Sequence, residues 1–330
     1  MWRSLLALGL LAALPAPASA ASWSAPQNIS QSANDLSGGS ISVDRQGRAL
    51  ASWPALKWVS GEPRGRYELE GWFIATRAPH APAFDLPRRA PSFASGPVLY
   101  GVSRAVGLER RSMGWLRCGE LGTLRATFGR STGLFEQPRT ISTFTGAGGG
   151  DGAAVVAAND AGRVLVAWGA ATRSDCRSSA VRIALREPGD SGFRSPVTLR
   201  GSGRPERPSA AAGANGDMLV AWARRIGGGR TNIEARVRPA GRRWGPVQTL
   251  GQGSVAGSLT TAVARNGRAY VAWADSGISE SGSGATLRVA VQPAGASRFR
   301  DATLLERVRT PVAFLPRLGP DIALTGTSAL

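Results

Sequence analysis

Gly162 to Trp168 reads GRVLVAW, and the heptad returns as GDMLVAW at Gly216 to Trp222, GRAYVAW at Gly267 to Trp273 and GRALASW at Gly47 to Trp53. Glycine lies six residues ahead of tryptophan in all four. A second block follows three of these tryptophans: VRIALREPGDSGFRSPVTL at Val181 to Leu199, IEARVRPAGRRWGPVQTL at Ile233 to Leu250 and LRVAVQPAGASRFRDATL at Leu287 to Leu304. LRATFGRSTGLFEQPRTI at Leu124 to Ile141 is the same block one unit earlier. Trp53, Trp115, Trp168, Trp222 and Trp273 step by 62, 53, 54 and 51 residues, a period that fits four-stranded propeller blades.

Each unit parses into strands and turns. In the third, Val155 to Ala158 is the innermost strand, Asn159 to Gly162 a turn, Val164 to Trp168 the second strand, Val181 to Arg186 the third and Phe193 to Leu199 the outermost. Asn215-Gly216, Asn266-Gly267 and Asp160 to Gly162 suit the positive φ that tight hairpins require. Helical periodicity is not sustained after the first twenty residues, so the chain is all-β. Trp23 to Pro26 matches Phe193 to Pro196, so a strand at 23–30 is expected to close the last blade around the ring. Asp321 to Leu330 matches Ala262 to Val271, with Gly326 in the place of Gly267, and stops two residues before the tryptophan of its unit. The expectation is a propeller of about six blades at 36–92, 96–142, 150–199, 207–250 and 257–305, with a partial blade at 318–330 and a truncated chain.

Composition bounds the setting. With 42% hydrophobic residues in 330, the chain can bury a large core. Arg3, the apolar run Leu5 to Leu14 and Ala18-Ser19-Ala20 form a secretory signal over residues 1–20, cleaved near Ala20-Ala21. No later stretch approaches the roughly 20 apolar residues of a spanning helix, so the mature chain is expected to be a monomer exported to the periplasm or the extracellular space. The net charge is +18 and Lys57 is the only lysine. Because the arginines are spread along the chain rather than gathered in a stripe, specific nucleic-acid binding is not expected. Salt-sensitive adhesion to anionic polymers fits the charge better.

Few residues point to chemistry. A tryptophan at one fixed position of every blade reads as packing between blades. Trp58, inside the long insertion Pro54 to Arg66, breaks the repeat and is a candidate contact or a cap over the core. His80 is the only histidine, which removes two-histidine metal sites and argues against a triad. There is no glycine-lysine pair for a Walker loop and no calcium loop, and the glycine run Gly146 to Gly152 reads as an interblade connection. No metal or cofactor is expected. Cys118 and Cys176 fall in the connections between second and third strands of neighbouring blades. Exposed to an oxidising compartment, they are expected to form a disulfide stapling blades two and three, with two separate thiols as the alternative.

The repeat, D/N-x-G-x-x-x-x-A-W followed by R-V-x-x-R-P-A-G-x-x-F-x-x-P-V-x-L, resembles secreted, mostly uncharacterised bacterial β-propeller proteins of the sialidase-like (BNR-type) group. The resemblance spans nearly the whole mature chain. It implies a propeller fold and, for sialidases proper, three arginines on a substrate carboxylate, an acidic proton donor and a tyrosine nucleophile. Two family motifs are not reproduced. Arg182-Ile183 is followed by Ala184 rather than proline, and the Asp-box is approached only at Ser42 to Asp44, with Gly47 one residue late. No residue carries over as catalytic.

The sequence therefore supports a non-catalytic propeller that binds a protein or polysaccharide through one ring face. Its loop candidates are Arg173, Asp175, Arg177, Arg204, Arg224, Arg225, Arg230, Asp275 and Glu280, with Trp58 beside them. The alternative is a sialidase-like glycoside hydrolase or lyase. Tyr100, near an innermost strand, is the one tyrosine placed to face a central pocket. A buried carboxylate pair beside it in the central channel would favour the hydrolase, and an apolar or arginine-only channel would count against it.

Overall fold

The computed structural model describes residues 28–29, 35–36, 39–59, 66–90, 95–100, 104–111, 121–130, 132, 134–145, 154–171, 178–200, 204–227, 230–254, 259–279, 282–309, 324–325 and 328–329. The expected signal, its cleavage point and Trp23 to Pro26 lie outside these residues.

All regular elements among the described residues are strands. The first sheet holds β1 (Asp35–Leu36), β2 (Ser40–Val43), β3 (Ala49–Val59), β4 (Arg66–Arg77) and β5 (Arg88–Ala90). β1 and β2 lie along the same edge of β3, through Leu36 opposite Ala55 and Ser40 opposite Ser52, so the sheet is four strands deep. The second sheet is β6 (Ser95–Tyr100), β7 (Arg104–Arg111), β8 (Leu121–Arg130) and β9 (Arg139–Thr145). The third is β10 (Ala154–Ala158), β11 (Val164–Ala171), β12 (Ser178–Arg186) and β13 (Val197–Arg200). The fourth is β14 (Arg204–Ala212), β15 (Met218–Gly227), β16 (Arg230–Arg238) and β17 (Gln248–Ser254). The fifth is β18 (Leu259–Val263), β19 (Ala269–Ser279), β20 (Gly282–Gln292) and β21 (Thr303–Arg309). A short pair, β22 (Leu324–Thr325) and β23 (Ser328–Ala329), brackets Gly326. Every sheet is an antiparallel meander in chain order.

Alternation along the second strands explains the stacking. Val164 to Trp168 are all at most 2% exposed, which requires both faces of β11 to be covered. Val164, Val166 and Trp168 pack against Val106 and Leu108 of the second sheet. Leu165 and Ala167 pack against Met218, Val220 and Trp222 of the fourth. Leu219, Ala221 and Ala223 then meet Val271 and Trp273 of the fifth. A side-chain period of two thus hands alternate residues to the preceding and following blade. Trp168, Trp222 and Trp273 are each the large residue that seals its blade onto the one before.

Between first and second strands the same turn recurs, with Gly47, Gly162, Gly216 and Gly267 at φ +80°, +88°, +95° and +83°, a region other residues enter only at a cost. The amide of each glycine donates to the carbonyl three residues back, at Asp44, Asn159, Gly213 and Ala264. These turns share one ring face, the turn face, with the connections between third and fourth strands. The connections between second and third strands, and those between sheets, share the other, the loop face.

Three expectations are corrected. The second strand of blade two is Arg104–Arg111 and ends before Trp115, which lies outside the described residues. Its register puts Glu109 opposite Arg125, as Trp168 lies opposite Arg182 and Trp273 opposite Arg288. The 62-residue step is therefore not a blade length. The start of the insertion after Pro54 is not a loop: β3 and β4 continue past a bulge at Ala55/Leu56 as a ribbon that pairs Trp58 with Tyr67. The outermost strand of blade three also begins later, and is shorter, than the block implies. Phe193 to Pro196 precede β13, anchored by one bond from the Arg194 amide to the Leu185 carbonyl at 2.8 Å. Pro196 cannot donate to a ladder.

Ile29 packs against Ala51, Trp53 and Ala75 of the first sheet. Leu199 meets Trp222, Leu250 meets Trp273 and Ile141 meets Trp168 in the same manner. Ile29 thus takes the same packing position relative to Trp53, and the rest of the expected closing strand at 23–30 except Asn28 lies outside the described residues.

Candidate functional site

On the loop face the sequence candidates concentrate in blade four. Arg204 lies directly opposite Arg225, and Arg224 opposite both Pro205 and Asn232. Arg230 pairs with Gly227 across the end of the β15–β16 hairpin. Asp275 stands two residues beyond Trp273 on β19, as Arg224 stands two beyond Trp222. Trp58 belongs to the ribbon of blade one at the same ring face. Arg173, Asp175, Arg177 and Glu280, and both Cys118 and Cys176 with their expected disulfide, lie outside the described residues. Tyr100 is separated from the rest: it ends β6 opposite Arg104, against the turn face.

Arg224 is held by a residue no motif singled out. Glu234, 1% exposed, lies opposite Trp222 in the β15–β16 register. It accepts from Trp222 Nε1 at 2.9 Å and from Arg224 Nε at 2.6 Å. A buried carboxylate is tolerable only when paired and hydrogen-bonded, and this one has a donor for each oxygen. The Arg224 side chain is 19% exposed, so its guanidinium is fixed from behind while still reaching solvent. Asn232, two residues from Glu234, is buried with an Oδ1 that has no partner among the described residues. Blades three and five differ here. Arg182 and Arg288 stand opposite their tryptophans, Arg182 lies 6.0 Å from the Trp168 ring, and neither Trp168 Nε1 nor Trp273 Nε1 has an acceptor among the described residues.

The innermost strands bear on the hydrolase alternative. The described side chains on β2, β10, β14 and β18 are alanine, valine, serine, threonine, proline, isoleucine and leucine. On the turn face, Arg45 of blade one reaches Asp160 of blade three at 3.2 Å.

The same face carries a tie between blades three and four. Glu187 pairs with Arg163 in its own blade and accepts from Arg238 Nη1 at 3.1 Å, while Arg163 Nη1 donates to the Gly216 carbonyl at 3.1 Å. Burial works against the Glu187 charge, but the hydrogen bonds and charges of the two arginines outweigh it and hold the carboxyl below its ordinary value.

Sequence reasoning missed a cavity of about 820 Å³ on the turn face between blades two and three. Phe128, Phe135 and Leu134 supply its apolar lining, Arg104, Arg130, Arg139 and Arg186 its charge, and Glu136 is the one carboxylate. Gly129 is obligatory in it, since a Cβ there would lie 2.4 Å from the Leu134 carbonyl. No single blade contains this set, so no spacing within the repeat points to it.

No known family profile matches the chain, and no curated protein matches it. Solved structures do. The NanB sialidase from Streptococcus pneumoniae superposes with a TM-score of 0.52 at 9% identity, over 86% of this chain and 64% of the sialidase. The α-L-arabinanase of Penicillium chrysogenum gives 0.52 at 13% identity, over 82% and 80%. An ulvan lyase bound to -[GlcA(1-4)Rha3S]- gives 0.52 at 12% identity, over 86% and 73%. The chain folds as a β-propeller. It spans less than two thirds of the pneumococcal enzyme's length, and at these identities the likeness fixes the fold alone.

Proposed function

We propose that this β-propeller is a secreted protein that binds a polysaccharide through its loop face without turning it over. The observation that carries the reading is the Arg224–Glu234–Trp222 arrangement. A guanidinium fixed by a buried carboxylate is a pre-formed receptor for an anionic sugar substituent, and its ordering cost is met on folding rather than on binding. Arg225, the next residue on β15, is exposed and adds charge at the same rim. The solved structures of like fold include a sialidase, an arabinanase and a polysaccharide lyase, which makes a glycan the first ligand class to test.

A glycan array and a sialoside-turnover assay on the mature protein test the proposal. Saturable binding that Arg225→Gln weakens, with no turnover, supports it. Turnover abolished by Tyr100→Phe establishes the sialidase-like hydrolase or lyase instead, and silence in both assays rejects a glycan ligand.

A further inference from the structure

The cavity between blades two and three contains an arrangement that packing alone does not explain. Arg104 and Arg130 are directly opposed in the β7–β8 register, and like charges opposed across a ladder are unfavourable. Both are exposed, and no described carboxylate pairs with either. The two remaining arginines are oriented. The Arg186 guanidinium lies 4.7 Å from the Phe128 ring centre and donates through Nε to the Asp190 carbonyl at 3.1 Å. Arg139 donates through Nη1 to the Ser191 carbonyl at 2.9 Å. Glu136, the one lining carboxylate, is 3.9 Å from Arg139 and largely exposed. The nearby Asp190 carboxylate is engaged by Arg194 at 3.2 Å. Four cations thus line an open volume with one acid among them, and two of the four stand opposite each other in the ladder.

We infer that this cleft is a second binding site, on the ring face opposite the one above, for an acidic saccharide bearing carboxylate or sulfate groups. The anionic group sits between Arg104 and Arg130 and removes their repulsion, with Arg139 and Arg186 as flanking donors. Leu134, 67% exposed at the rim, offers an apolar contact to a sugar ring. A volume of about 820 Å³ falls within the range of small-molecule pockets and suits a short oligosaccharide. A nucleic acid would need a longer cationic track and stacking platforms. Here the Phe128 ring is already stacked on Phe193, with centroids 5.9 Å apart.

The test is calorimetric titration of the full mature protein with a chondroitin sulfate hexasaccharide, its desulfated form, its carboxyl-reduced form and a neutral maltohexaose. The expected result is saturable binding of the acidic probe with a component at least tenfold weaker in Arg104→Gln/Arg130→Gln and unchanged in Arg298→Gln, an exposed residue of neither site. The desulfated and carboxyl-reduced arms assign the recognised group. Leu134→Asp, at an exposed rim position, places a carboxylate in the cleft without touching the pair and should abolish binding even if the double variant folds poorly. Equal binding of maltohexaose, equal loss in Arg298→Gln, undiminished binding in Leu134→Asp, or full displacement by an equimolar single-stranded oligonucleotide would each overturn the assignment. Because the two sites lie on opposite faces, the cleft component is read separately in an Arg225→Gln background, where failure of the loop-face reading leaves the effect of Arg104→Gln/Arg130→Gln intact.

Discussion

Glu234 shows how one residue changes what its blade can do. At the same strand position blades three and five carry Arg182 and Arg288, which cannot accept from an indole, and their tryptophan nitrogens lack acceptors among the described residues. Glu234 satisfies Trp222 and fixes Arg224 at once. Removing one partner of a buried pair strands the other, so Glu234→Ala should cost about 3–5 kcal/mol in urea unfolding. Glu234→Gln should cost less, because an amide oxygen still accepts from Trp222. Equal losses in the two variants would mean that the charge carries the whole effect and the retained acceptor none of it. His80 makes a second case at this scale. It has φ +60° in the connection after β4, where blades three, four and five place Gly189, Gly241 and Gly295 with positive φ. A side chain in the left-handed region costs about 1–2 kcal/mol, so His80→Gly should raise the melting temperature. A lower one would mean that the imidazole makes a contact worth more than the strain.

At the scale of elements, the tryptophan seals can be ranked. Trp168 and Trp222 are comparably buried, yet only Trp222 among the two donates its indole N–H to a described acceptor. Phenylalanine at 222 leaves Glu234 short of a donor, whereas at 168 it removes a donor without an acceptor. Trp222→Phe should therefore be more destabilising than Trp168→Phe by about 1–3 kcal/mol, read as the difference in unfolding midpoints scaled by a common slope. The seals also show what the sequence made legible. The glycine-to-tryptophan spacing located the second strands of blades one, three, four and five, because both ends of that spacing are physical requirements: a positive-φ turn and a large residue at the blade junction. Blade two lacks the spacing, and Trp115 took the place that the register assigns to Glu109. The ribbon around Trp58 was hidden because Pro54 and the Gly61 to Gly65 stretch read as loop punctuation, while the pairing of Lys57 with Glu68 and Trp58 with Tyr67 extends the strands regardless. Arg224 was legible as a loop-face cation, but its support was not, since Glu234 meets it only across a ladder.

At the scale of the whole molecule, stability depends on how successive blades are tied on each face. The loop-face end of the blade three to four junction has Trp222 and Glu234, and the turn-face end has Glu187, bridging Arg163 of its own blade and Arg238 of the next. The ordinary glutamate value is 4.5, and Glu187 is held below it in the folded chain. The unfolded state therefore takes up a proton first as pH falls. The stability that Glu187 lends is present in full above about pH 5 and is lost as pH drops through its folded value. With hydrogen bonds to charged groups contributing about 1.5–3 kcal/mol, unfolding free energy measured from pH 6 to pH 3 should decline more steeply in the parent chain than in Glu187→Gln. The two curves should approach each other at the acid end, where the parent carboxyl is itself neutral. Arg238→Gln should shift the parent's acid limb toward higher pH by removing one of the two cations that depress the carboxyl. Parallel curves across the whole range would mean that the bridge is solvated in solution and that the apolar seals alone join blades three and four.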